Sequence, residues 1–144
     1  MFFERKKYLK ELIAGRGNGL VKIITGVRRC GKSFLLFNIW HNWLQEHGVT
    51  DSHIIEIQLD DFRNRRLRKP DALLDYIDSK VIEDGNPYYI VLDEVQMVED
   101  FVEVILSLTH MRNVDVYVSG SNSRFLSSDV VTEFRGRGDE IRIW

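Results

Sequence analysis

The chain has 144 residues, 44% hydrophobic and 29% charged, with a net charge of −2 and a pI near 6.1. That length allows one domain with a sizeable core, and the near-neutral balance excludes a chain-wide basic field of the kind that gathers nucleic acid or anionic membrane. A single cysteine excludes an intrachain disulfide. No apolar run approaches the ~18 residues that a membrane-spanning helix needs. The first residues carry charges where a signal peptide needs its apolar stretch, so a reducing, cytoplasmic setting is expected.

In chain order, residues 4–14 read as a short amphipathic helix with Tyr8, Leu9, Leu12 and Ile13 on one face. Three glycines in Gly15-Arg16-Gly17-Asn18-Gly19 end it in a turn. Leu20-Val21-Lys22-Ile23-Ile24-Thr25 is short, apolar and β-branched, a first strand. Gly26-Val27-Arg28-Arg29-Cys30-Gly31-Lys32-Ser33 follows, and Phe34 opens an apolar stretch that continues as a helix to about Glu46, where His47-Gly48 stops it.

The segment between this strand and this helix reads G-x-x-x-x-G-K-S, the phosphate-binding P-loop pattern in its required context. Gly26 and Gly31 let the backbone bend and approach a ligand with no Cβ in the way. The loop aims several backbone N–H groups at one point, and the helix N-terminus adds partial positive charge. Lys32 is a mobile cation for the β- and γ-phosphates, and the Ser33 hydroxyl is a ligand for Mg²⁺. The expected nucleotide cradle runs from Gly26 through Val27, Arg28, Arg29, Cys30, Gly31, Lys32 and Ser33 to Phe34. Tyr8 and Leu9 either border the nucleotide's base or simply pack a helix on a sheet. Cys30, among cations at a helix N-terminus, is expected to favour its thiolate. Redox control and a small residue tolerated in the loop are both open there.

His53 to Leu59 alternates apolar and polar residues, a second strand closed by Asp60-Asp61, which either reach a Mg²⁺ shell or cap a loop. Phe62 to Lys69 reads as a loop carrying Arg63, Arg65, Arg66, Arg68 and Lys69. Such a run grips a nucleic acid backbone or an acidic partner, or is a solvated connection; no aromatic platform interleaves its charges. Pro70-Asp71 opens a helix with Leu73, Leu74, Ile77 and Val81 inward, stopped by Asp84-Gly85-Asn86-Pro87. Tyr88 to Leu92 is a continuous apolar strand of the kind buried on both faces of a parallel sheet. A helix over about Asp100 to Met111 places Phe101, Val104, Ile105 and Leu108 inward. Val114 to Ser119 is a fourth strand, a short helix is expected over residues 124–127, and Glu140 to Trp144 is a last strand. Strands alternating with helices predict a parallel α/β sheet.

Asp93-Glu94 ends the apolar strand, where an open α/β sheet presents its ligand site. Asp93 is expected to hold Mg²⁺ opposite Ser33, and Glu94 to deprotonate a water for in-line attack on the γ-phosphate. A phosphotransferase protecting its donor from water gains nothing from that second carboxylate.

Three motifs in this order resemble the AAA-type ATPases of archaea and bacteria that are often paired with a DUF4143 region: Ile24 to Ser33, Leu92-Asp93-Glu94-Val95-Gln96, and Ser119-Gly120-Ser121-Asn122-Ser123. The resemblance covers essentially the whole chain. It implies a P-loop NTPase three-layer sandwich with a mostly parallel five-stranded sheet, order 5-1-4-3-2, and ATP hydrolysis with Mg²⁺. By position, Gly26 to Ser33 match Walker A, Asp93 and Glu94 match Walker B, and Ser121 or Asn122 matches the polar sensor near the γ-phosphate. Asn122 is the expected sensor, since an amide bonds both a phosphate oxygen and a water, with a plain turn-forming Asn after Gly-Ser as the other reading. Arg135 and Arg137 resemble the Gly-Arg element before the last strand; Arg137 is expected to be either a sensor or finger, in cis or in trans, or part of a solvated turn.

Residues 1–144 thus read as one ATPase core, where relatives continue beyond the last strand. The expected activity is Mg-dependent ATP hydrolysis coupled to an unidentified protein or DNA partner, with a homo-oligomer open. Two other classes stand beside it: a nucleotide-dependent switch with little turnover, and a small-molecule P-loop kinase.

Overall fold

Five short apolar runs pair into one sheet: β1 (Val21–Thr25), β2 (Ile54–Gln58), β3 (Tyr88–Asp93), β4 (Val114–Gly120) and β5 (Gly138–Arg142). The computed structural model describes residues 2–26, 31–121 and 138–142. Strand order is β2-β3-β4-β1-β5, the expected 5-1-4-3-2, and every neighbouring pair is parallel. Each residue of β1 and β3 is buried, as strands covered on both faces require.

Alternation along the strands divides the core into two layers. Ile23, Ile57, Ile90, Leu92, Val116 and Val118 face one side, where they meet Leu73 and Ile77 of α4 (Pro70–Lys80) and Phe101, Val104, Ile105 and Leu108 of α5 (Phe101–Leu108). Ile24, Ile54, Tyr89, Val91 and Tyr117 face the other, beneath Tyr8 and Leu12 of α1 (Phe2–Gly15) and Leu36, Trp40 and Leu44 of the helix over residues 32–46. Tyr8 is therefore a core residue, 6% exposed.

That second helix is not uniform. It opens as α2 (Lys32–Phe34), widens into a π-helical segment (Leu35–Trp40) and closes as α3 (His41–Glu46). Periodicity alone predicts a single α-helix there; the π segment lies where Trp40 packs 5.1 Å from the Tyr117 ring and stacks on Trp43 at 5.2 Å.

Two further expectations are corrected. The basic stretch is no loop but a 3-10 helix, Phe62–Arg68, because the Asp61 carboxylate accepts from the Arg63 N–H at 2.9 Å and the Asn64 side chain donates to Gln58 O at 2.9 Å. Asp61 is thus a cap, as one of its two readings holds. The last strand begins at Gly138, two residues before the apolar alternation suggests, because it is set by pairing with β1, Val21 opposite Gly138. The helix expected over residues 124–127, and Ile143 and Trp144, lie outside the described residues.

Candidate functional site

Parallel strands end together. Thr25 lies opposite Gly120, Leu92 opposite Val118 and Gln58 opposite Asp93, so the residues after β1, β2, β3 and β4 gather at one end of the sheet. Gly26 follows β1 with φ 148° and Gly31 precedes α2 with φ 96°, both in the region that glycine tolerates and side chains do not. Among the described residues nothing crowds the place a Gly31 side chain would take, so it is the backbone angle that calls for glycine there. Lys32 is 5% exposed, and its Nζ donates to Gly26 O at 3.1 Å across the loop. Val27, Arg28, Arg29 and Cys30 lie outside the described residues, as do Asn122, Arg135 and Arg137. Phe34 is described, 44% exposed on the first helical turn.

Ser33 and Asp93, the two expected metal ligands, lie side by side. Ser33 Oγ donates to Asp93 Oδ2 at 2.8 Å, joining the start of the helix to the end of β3. Asp93 is 3% exposed. Burial pushes its carboxyl above the usual range; hydrogen bonds from Ser119 and Ser33 pull it back, and the charges of Glu94 and Asp60 raise it again. Two hard oxygens side by side, in a site whose carboxylates oppose one another's ionisation, are a donor set that suits Mg²⁺, which takes few protein ligands and keeps water and phosphate for the rest. Among the described residues no group of three or more His, Cys, Asp or Glu could hold a metal by itself.

Glu94 follows at φ 55°, ψ 50°, a left-handed conformation that costs a non-glycine residue about 1 kcal/mol or more. The strain turns its side chain out of the strand's alternation. Both carboxylate oxygens accept from Ser121 Oγ, at 2.5 and 2.9 Å, and Oε2 also accepts from Gln96 Nε2 at 3.1 Å. Ser121, one of the two sensor candidates, thus touches the second carboxylate.

One functional position was not legible beforehand. Ser119, fully buried, donates to Asp93 Oδ1 and accepts from the Glu94 N–H at 3.0 Å. One hydroxyl therefore ties both residues of the Asp-Glu pair to β4. The sequence signals are a serine closing a largely apolar strand and its place at the head of the third motif; which residue it meets depends on the β3–β4 register. Ser119→Ala leaves the Glu94 N–H and an Asp93 oxygen without this partner in the interior, which should cost about 1–3 kcal/mol in a urea unfolding curve.

At the opposite end of the sheet lies a polar cluster that sequence reading also missed. Lys22, fully buried, donates from Nζ to Asp115 Oδ1 at 2.6 Å and to Leu20 O at 2.8 Å. Asp115 Oδ2 accepts from Tyr117 OH at 2.7 Å and from the Gly17 N–H at 3.0 Å. Burial, then the Asp115 carboxylate, hold the Tyr117 hydroxyl far above its usual range, so it stays protonated.

Comparison with known proteins gives a consistent result. A family model described as an AAA domain, AAA_14, matches residues 18–144. An uncharacterized protein of Haemophilus influenzae is 31% identical over 140 residues, 97% of this chain and 35% of that protein. One from Methanocaldococcus jannaschii is 28% identical over 127 residues, 85% of this chain and 26% of that protein. The chain therefore spans about a third and a quarter of these relatives.

Among solved structures, the Drosophila ORC bound to DNA has a TM-score of 0.60 at 11% identity, covering 97% of this chain and 89% of that one. The C. elegans PCH-2 structure has a TM-score of 0.59 at 14% identity, covering 96% and 39%. A DNA polymerase III gamma subunit-related protein of Thermotoga maritima has 0.55 at 12%, covering 95% and 46%. At such identities these likenesses speak for the fold. No helix among the described residues is long and apolar enough to cross a membrane.

Proposed function

The chain belongs to the AAA_14 family of AAA domains, a nucleotide-binding module of ATPase type, and from that premise we propose that it binds ATP with Mg²⁺ and hydrolyses it, using the cycle to act on a partner. The observation that supports this reading is the 2.8 Å bond from Ser33 to Asp93, which sets side by side the two residues proposed to hold Mg²⁺. Lys32 opens α2 beside Ser33, placed for the β- and γ-phosphates at the helix start. Ser33 and Asp93 would hold Mg²⁺, which when bound neutralises charge on the phosphate oxygens. Glu94, the residue after β3, accepts the proton of a water that adds to the γ-phosphorus. The bond from that phosphorus to the bridging oxygen breaks, leaving ADP and inorganic phosphate. Asn122 and Arg137 remain the candidates for sensing the γ-phosphate and its charge.

A second reading rests on the same carboxylate. Ser121 and Gln96 both hydrogen-bond the Glu94 carboxylate and hold it toward themselves, leaving fewer of its lone pairs for a water until the side chain turns. A protein that keeps this arrangement with ATP bound is a nucleotide switch with little turnover. Calorimetry with Mg·ATP beside a phosphate-release assay separates the two. Wild type should bind and release phosphate, and Lys32→Ala should lose roughly tenfold or more in affinity, the equivalent of about 1.4 kcal/mol. Binding without release selects the switch. No binding of ATP or ADP overturns both.

A further inference from the structure

The basic stretch after β2 has no part in the chemistry above, and the structure sorts its charges. Arg68 is half-buried and donates from Nε to Leu59 O at 2.8 Å, a structural use. Arg63 pairs with Asp61 at 3.2 Å and Lys69 with Glu99 at 2.6 Å, both on the surface, where such pairs are weak and open to exchange. Arg65 and Arg66 are exposed and have no carboxylate partner among the described residues.

Phe62 heads this stretch and is 68% exposed, the most exposed large apolar side chain among those described. The Arg65 guanidinium lies over its ring, 4.4 Å from the centroid. The charges therefore do come with an aromatic platform, one placed beside the run and not within it. The ring is displayed by a fixed backbone. Asp61 caps the helix, Asn64 is bonded to Asp61 O and Gln58 O, and the Glu99 N–H donates to Arg68 O at 2.9 Å. Leu67 is packed on the core beneath. Burying Phe62 would mean breaking these bonds.

We propose that this helix is a binding surface for single-stranded nucleic acid, with Phe62 stacking on a base and Arg65, Arg66 and the exchangeable Arg63 on the backbone phosphates. A base has a flat face for the open side of a ring that Arg65 already backs, and phosphates at short intervals suit guanidinium groups at neighbouring positions. A duplex hides its base faces. An acidic protein would satisfy the arginines and leave the ring in water. Charge complementarity thus favours the strand: the whole chain carries −2, yet five of the seven residues 63–69 are basic.

The test is fluorescence anisotropy with a labelled 20-mer of deoxythymidine and no nucleotide present, so that its result stands apart from whether ATP is turned over. Two or three phosphate contacts give a log–log salt slope of about −1.4 to −2.1. Phe62→Ala should weaken binding about fivefold or more, yet leave binding of an abasic 20-mer unchanged. Arg65→Ala with Arg66→Ala should weaken both. A uridine 20-mer run in parallel tells RNA from DNA. All substituted side chains are exposed, and circular dichroism checks that the variants fold. Absence of binding at low salt overturns the proposal, and so does binding that both variants retain. Polyglutamate competing as well as unlabelled oligonucleotide would assign the surface to acidic proteins and equally overturn it.

Discussion

Glu94→Gln should leave Mg·ATP affinity within about twofold of wild type while phosphate release falls by roughly a hundredfold to ten-thousandfold, the span usual for loss of a general base. The substitution is nearly isosteric, so the fold should hold. The amide oxygen still accepts from Ser121, and Gln96 can turn its own amide so that its oxygen accepts from the new NH₂ group. Residue 94 keeps its left-handed backbone and the bond from its N–H to Ser119 Oγ. What disappears is the proton acceptor. Stopped assays of phosphate, with calorimetry on the same preparation, would read both halves. Equal loss of affinity and turnover would mean that residue 94 shapes the nucleotide site and takes no proton. Unchanged turnover would move the base elsewhere.

The sequence carried the parts of this site that are local. Strand, glycine loop and helix are consecutive, each with its own period, so Gly26, Lys32 and Ser33 could be placed without knowing what lay across the sheet. Asp93 was legible for a similar reason: an acid closing an apolar strand lies where open sheets bind ligands. Strand order came through family resemblance and agrees with the structure. What stayed hidden were contacts set by register. Ser119 meets Asp93 because Val118 lies opposite Leu92, a pairing that no local pattern encodes. Ser121 matched a sensor position, yet in the structure its hydroxyl is bonded to Glu94. Nothing local in β1 shows that Lys22 meets Asp115, from a strand far along the chain. The helix Phe62–Arg68 was missed because arginines obscure short periodicity, and its capping bonds come from Asp61 and Asn64, residues equally at home in loops.

Lys22→Met should destabilise the protein by about 3–5 kcal/mol, a large share of the 5–15 kcal/mol typical of a domain. The chain of causes begins with burial. Lys22 is fully buried and the Asp115 side chain is 7% exposed, so the charges answer each other at 2.6 Å with little help from water. Removing the cation leaves a buried carboxylate held, among the described residues, by Tyr117 OH and the Gly17 N–H. Asp115→Leu strands the ammonium in the same way, with Leu20 O as its remaining acceptor. Combining the two removes both charges, so the double variant should recover much of the loss. Recovery will be partial, because the Tyr117 hydroxyl and the Gly17 N–H then lose their acceptor. Denaturant midpoints for the four proteins close the cycle, and additive losses would deny the coupling. The nucleotide site should be unaffected in whatever fraction remains folded. Lys22 sits near the start of β1 and Gly26 follows its end, about 13 Å away at 3.3 Å per residue. One end of the sheet thus holds the charges that keep the strands together, and the other holds the charges proposed to do chemistry.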